Sequence, residues 1–152
     1  MTVSQTLADL GIELPDVVPP VAAYIPAVVH GDLVYTSGQL PMSGGALPAT
    51  GKVGAEVSAD DAASYARQSA LNAIAAAAAA VGGVDRLTGV VKVVGFVAST
   101  PDFTGQPGVI NGASELLGQV FGEAGRHARS AVAAPVLPLD SPVEVEVIFS
   151  FV

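Results

Sequence analysis

SADDAASYARQSALNAIAAAAAAVGG, residues 58–83, is followed six residues later by VVKVVGFVAS, residues 90–99. The first stretch reads as a long helix. Ser58, with Asp61 three positions on, resembles a capping box in which Asp replaces Glu. Asp60 and Asp61 suit the positive end of the helix dipole. Ala62, Ala66, Ala70, Ala73, Ala77 and Val81 then recur at helical spacing, with Leu71, Ile74 and Ala78 beside them, and Gly82-Gly83 supplies a C-cap. So much alanine lets a neighbour approach closely, which predicts a helix lying flat on a sheet. The second stretch is β-branched and reads as a strand, with Gly95 as the site of a bulge.

Outward from this pair, residues 21–29 and 32–37 read as two short strands joined at His30-Gly31-Asp32, followed by a Gly- and Pro-rich loop from Gly38 to Gly54. A second helix is expected over about 107–123, using Ile110, Leu117, Val120 and Phe121 and stopping at Gly125. Two further strands, at 127–134 and 143–152, flank the turn-rich VLPLDSP. The order β-β-α-β-α-β-β predicts an α+β fold with both helices on one face of a mixed sheet. Residues 1–20 read as an N-terminal extension: a short helix pattern (Val3, Leu7, Leu10) ending at Gly11, then Pro15, Pro19 and Pro20. Residues 21–152 form the single domain.

Composition narrows the function classes. The 152 residues are 51% hydrophobic and only 13% charged, which is too apolar for disorder. The longest apolar run, Ala73 to Val81, is far short of the ~20 residues of a membrane span. Surplus apolar surface with few charges instead predicts an oligomer, since obligate interfaces resemble a core cut in half. MTVSQTLADLG carries neither a basic n-region nor an apolar h-region, so no signal peptide is expected. The absence of cysteine excludes thiol catalysis and agrees with a cytoplasmic location. A net charge of −8 and six scattered cations argue against nucleic-acid binding, which draws its affinity from Lys and Arg neutralising phosphates. The sequence contains no GxGxxG, P-loop, HExxH or GxSxG, and no metal-ligand spacing. No cofactor and no metal are expected.

One local concentration stands out. Arg126, His127 and Arg129 place two of the six cations and one of the two histidines within four positions. Arg126 and His127 follow a helix end and have a ready role in complementing its dipole. Arg129 lies inside a strand, on one face with His127 and Ala131. A guanidinium there needs either an internal carboxylate or a ligand carboxylate held by its planar fork. In the last strand, PVEVEVIFSFV, Val143, Val145, Val147, Phe149 and Phe151 make a core face, while Glu144 and Glu146 share the other face with Ile148. That mixed face is expected to be covered by another subunit, and a carboxylate at its edge could orient water or move a proton.

Three motifs in order now carry a resemblance: LVYTSGQLP (33–41), the Gly-Gly-Val-Asp run into VVKVVGFVAS, and HARSAV (127–132) followed by LPLDSPVEVEVIF (137–149). Over residues 20–152 the chain resembles the Rid, or YjgF-like, family of reactive-intermediate deaminases, with GASELLGQVFGEAGRHARSAV suggesting a longer, less characterised branch. The resemblance implies a chorismate-mutase-like fold and a homotrimer with small-molecule sites in intersubunit clefts. It implies cofactor-free hydrolysis of 2-imino or 2-enamino acids to 2-oxo acids and ammonia. Arg129 would hold the substrate carboxylate and Glu144 would position water, keeping the family's fifteen-residue separation. Tyr24, Ser37 and Asn111 would complete the substrate contacts. The chain departs from the deaminase branch at AAYIPAV, where Ser-Gln usually follows the tyrosine, and at Ala131, where cysteine is common. Two other readings remain: a trimeric carboxylate-binding or stress-protective protein without turnover, and an RNA-cleaving enzyme, against which the charge balance speaks.

Overall fold

The computed structural model describes residues 1–20 and 22–152; the expected start of the domain at Val21 lies outside the described residues. Three helices, α1 (Val3–Asp9), α2 (Ala59–Val81) and α3 (Gln106–Phe121), accompany five strands, β1 (Ala27–His30), β2 (Leu33–Thr36), β3 (Leu87–Ala98), β4 (Ala128–Ala134) and β5 (Val143–Phe151). The strands form one sheet in the order β1-β2-β5-β3-β4. β1 pairs β2, and β5 pairs both β2 and β3, all antiparallel; β3 and β4 are parallel. A parallel neighbour cannot be reached by a hairpin, and α3 provides the crossover from β3 to β4. Among the described residues no helix is long and apolar enough to cross a membrane.

The long helix forms for the expected reasons. Ser58 Oγ accepts from the Asp61 N–H at 3.1 Å, and Gly82 closes the C-terminus in the left-handed region at φ 90°. Ala62, Ala66, Ala70, Ala73 and Ala77 are fully buried in the same core as Val93, Val97, Val143, Val145, Val147 and Phe149. α2 and α3 lie side by side over this face. The opposite face of the sheet carries Val28, Tyr35 and Val132 with 40% or more of their surface exposed, and no helix of the described residues covers it.

Three expectations change. The first strand begins at Ala27 rather than near residue 21, because Pro26 has no N–H to give a ladder and residues 22–26 turn instead. Gly95 is not a bulge: it pairs in register with Val145 and Ala131, and the register shifts fall between Leu87 and Gly89 and between Val90 and Lys92. Gly95 is needed because a Cβ there would stand 2.5 Å from Ile110 of α3. Helix α3 ends at Phe121 and tightens into a 3₁₀ turn over Gly122–Gly125. The N-terminal stretch packs back onto the rest of the chain. Leu7 of α1 is buried in the core, and the Ser4 N–H and hydroxyl both donate to the Asp85 carboxylate at 2.7 Å.

Candidate active site

Arg129 leaves the edge strand β4 on the helix side of the sheet: its partner across the ladder is Val93, a core residue. Its guanidinium meets the N-terminal half of α3. Nη1 donates to Asn111 Oδ1 at 2.8 Å and to Ser114 Oγ at 3.2 Å, and Nη2 donates to the Pro107 carbonyl at 3.3 Å. Asn111 and Ser114 stand three residues apart, hence on one helix face. His127 extends the network. Its Nδ1 lies 2.6 Å from the Gly125 carbonyl, which can only accept, so Nδ1 carries the proton. Nε2 lies 2.9 Å from the Ser114 hydroxyl, within hydrogen-bond distance. Ser114 therefore joins His127 to Arg129.

What Arg129 lacks is a carboxylate. Among the described residues the ion pairs are Lys52–Asp140 and Arg126–Glu123. Three bonds to neutral oxygens fix the plane of the guanidinium, leaving Nε–H and one Nη2 hydrogen without a partner among the described residues. A held cation with open donors is suited to an anionic ligand. Arg126 does no such work: it makes an exposed pair with Glu123 at 3.4 Å.

Glu144 belongs to a different place. On β5 it pairs Phe96 of β3, facing away from the helices. Its half-buried side chain lies against Gly38, where a Cβ would come within 2.8 Å of the carboxyl group. That explains the glycine of the Ser-Gly-Gln turn: any side chain would displace the carboxylate. Burial, with a smaller contribution from the Glu146 charge, raises the Glu144 pKa above the ordinary glutamate value. Gly38, Gln39 and Tyr24 line a mostly apolar cleft of about 380 Å³. Ser37 holds the segment before β1 to this turn, its hydroxyl donating to the Ile25 carbonyl at 2.6 Å and its N–H to the Pro26 carbonyl at 2.8 Å.

The candidate residues thus form two groups. Arg129 and Asn111 meet, joined by Ser114 and His127; Tyr24, Ser37 and Glu144 gather around Gly38. Within one chain β3 separates the strands bearing Arg129 and Glu144, and the two side chains leave opposite faces of the sheet. Sequence reading missed Ser114 and Gly38. The i, i+3 spacing from Asn111 marks Ser114 once α3 is placed, but Gly38 has no signal before the register of β5 is known. Among the described residues no group of His, Asp or Glu is arranged to hold a metal ion.

The YjgF/chorismate mutase-like, putative endoribonuclease family model matches residues 4–151. The chain belongs to this family. Protein TCP17 of Trypanosoma cruzi is 43% identical over 147 residues, covering 95% of this chain and 91% of that protein. A protein of unknown function from Agrobacterium tumefaciens has 42% identity and a TM-score of 0.90, covering 99% of this chain and 92% of its own. A putative endoribonuclease from Shewanella oneidensis superposes with a TM-score of 0.95 at 33% identity, covering 99% and 100% of the two chains. The YjgF-family match begins inside α1, so the N-terminal helix falls within the family's shared span.

Proposed function

We propose that the chain is a cofactor-free deaminase of small 2-imino and 2-enamino acids, working as a homotrimer with each site shared between two subunits. The observation that carries this reading is Arg129: a positioned guanidinium with no carboxylate partner among the described residues of a chain of net charge −8. A substrate carboxylate on its open edge satisfies that need. E. coli TdcF, a neighbour at 27% identity and a TM-score of 0.60, was solved with bound serine, a ligand with the same carboxylate next to a nitrogen-bearing carbon. The uncovered sheet face and the separation of Arg129 from Glu144 both favour completion of the site by a second copy.

The chemistry follows from the groups in hand. With the substrate carboxylate on Arg129, ionised Glu144 takes a proton from water as the oxygen adds to the imine carbon. Glu144 passes this proton to the imine nitrogen, giving the carbinolamine; it then takes the hydroxyl proton as the carbonyl forms and delivers it to the nitrogen as the C–N bond breaks, releasing ammonia. A carboxyl group with a raised pKa is suited to carrying a proton both ways. Water and imine are consumed and 2-oxo acid and ammonia formed, with no redox step.

RNA cleavage is the less favoured reading. Of the six cations, Lys52 and Arg126 are paired with carboxylates and Arg86 is bonded to the Val81 and Val152 carbonyls, leaving no basic stripe for phosphates. The test is release of 2-oxo acid from freshly generated iminopropanoate and iminobutanoate, wild type against Arg129→Ala. A wild-type rate equal to the uncatalysed background defeats the proposal; binding of 2-oxo acids without turnover would favour a carboxylate-binding protein instead.

A further inference from the structure

The cleft lined by Gly38, the glycine against which Glu144 lies, is built more firmly than its surface position requires. One wall is the segment after Gly38, anchored from below by Asn72. Asn72 is fully buried in α2 and donates through Nδ2 to the carbonyls of Leu40 and Met42, both at 3.0 Å. The facing wall is the turn at Pro138–Asp140. Two consecutive non-glycine residues there, Leu139 and Asp140, are left-handed, each at φ 58°. A bulky L residue rarely adopts that conformation, and strained positions persist only where the surroundings over-determine them. They do so here: the Asp140 carbonyl accepts from the Gly51 N–H at 3.0 Å, and its carboxylate accepts from Lys52 Nζ.

This anchoring holds Leu139 outward. Its side chain is 63% exposed and lines the cleft with Val18, Pro19, Tyr24 and Met42. An apolar side chain held in strained backbone over an apolar, preformed cleft adds little to the core. Gly38, which lines the cleft, is also the glycine against which the Glu144 carboxyl lies. We infer that this cleft is the side-chain pocket of the site, and that Leu139 sets a preference for substrates with extended apolar side chains over those with a methyl group. The inference rests on the reading that the reacting carbon lies beside Glu144. The pocket volume of about 380 Å³ falls within the range of small-molecule sites.

The experiment is a side-chain series on the full chain. Binding of pyruvate, 2-oxobutanoate, 2-oxopentanoate and 4-methyl-2-oxopentanoate is measured by calorimetry, and kcat/KM for the matching 2-imino acids by 2-oxo acid release. Each extra buried methylene is expected to strengthen binding about fourfold. Leu139→Asn, which tolerates the left-handed conformation but is polar, is expected to flatten the series. Turnover or binding that is flat across the series, or best for the methyl compound, overturns this inference and leaves the deaminase reading intact; a cleft filled by the second copy gives that result. Binding with the expected gradient but no turnover keeps the pocket and overturns the deaminase. No binding of any 2-oxo acid overturns both.

Discussion

Replacing Arg129 by alanine removes a cation that is held in place by neutral oxygens and has no carboxylate partner among the described residues. The guanidinium offers two open N–H groups, Nε–H and one on Nη2, once its bonds to Asn111, Ser114 and Pro107 are counted. A hydrogen bond to a charged group is worth about 1.5–3 kcal/mol. Because the site is partly open to water, the pair together is assigned about 2–3 kcal/mol, which converts to a loss of about 30- to 150-fold in affinity for a 2-oxo acid. The fold loses less. Asn111 is exposed and water replaces the lost partner, so Arg129→Ala is expected to cost no more than about 1.5 kcal/mol of stability. Arg129→Lys keeps the charge without the planar fork and is expected to fall between wild type and alanine. The assay is calorimetric titration with 2-oxobutanoate, alongside urea unfolding to verify that the variant is folded. A folded Arg129→Ala protein that binds within about threefold of wild type refutes the anchor role, since that difference is under 1 kcal/mol.

Three other outcomes are expected. Gly112→Ala places a Cβ 1.9 Å from the Ala63 carbonyl oxygen, a backbone atom that cannot swing away, so urea unfolding is expected to show a loss of about 3 kcal/mol; Gly108→Ala, in open space on the same helix, is expected to be neutral or stabilising. Glu144 has a raised folded-state pKa, so the native state holds its proton more tightly than the unfolded chain, and stability falls as pH rises from the ordinary glutamate value through the raised one. Glu144→Gln, which mimics the protonated form, is therefore expected to match wild type in acid and to become the more stable protein above that window, while losing turnover; equal stability across the pH range contradicts the burial argument. Val94→Glu, in the middle of the uncovered sheet face, is expected to dissociate the proposed trimer to monomers by light scattering.

The fold was legible because its strongest signals are local. Ser58, Gly82 and the alanine periodicity between them define α2 without reference to anything else, and the alternation in PVEVEVIFSFV sorts core from open face correctly. Local signals fail where tertiary contact decides. Gly95 looks like a bulge in sequence, yet it is a close approach to Ile110 that only the crossing of α3 creates. The site divides in the same way. Arg129 could be picked out by being a cation inside an apolar strand of an acidic chain. Its tie to Ser114 and His127 depends on how α3 lies over β4. Arg129 and Glu144 stand fifteen positions apart in sequence, but an intervening β3 and opposite faces separate them within one chain. Leu139 had no sequence signal, because its left-handed backbone arises from the anchoring of Asp140.

Arg129 and Glu144 are proposed to act in one site only when supplied by different copies. Co-expression of two inactive variants, Arg129→Ala and Glu144→Gln, tests it most directly, with turnover measured on the mixed assembly. In a head-to-tail ring assembled at random from equal amounts, about a quarter of the sites receive an intact arginine from one subunit and an intact glutamate from its neighbour. Recovery to roughly that fraction of wild-type activity is the predicted result. Mixed assemblies that stay at the level of either variant alone would contradict the account.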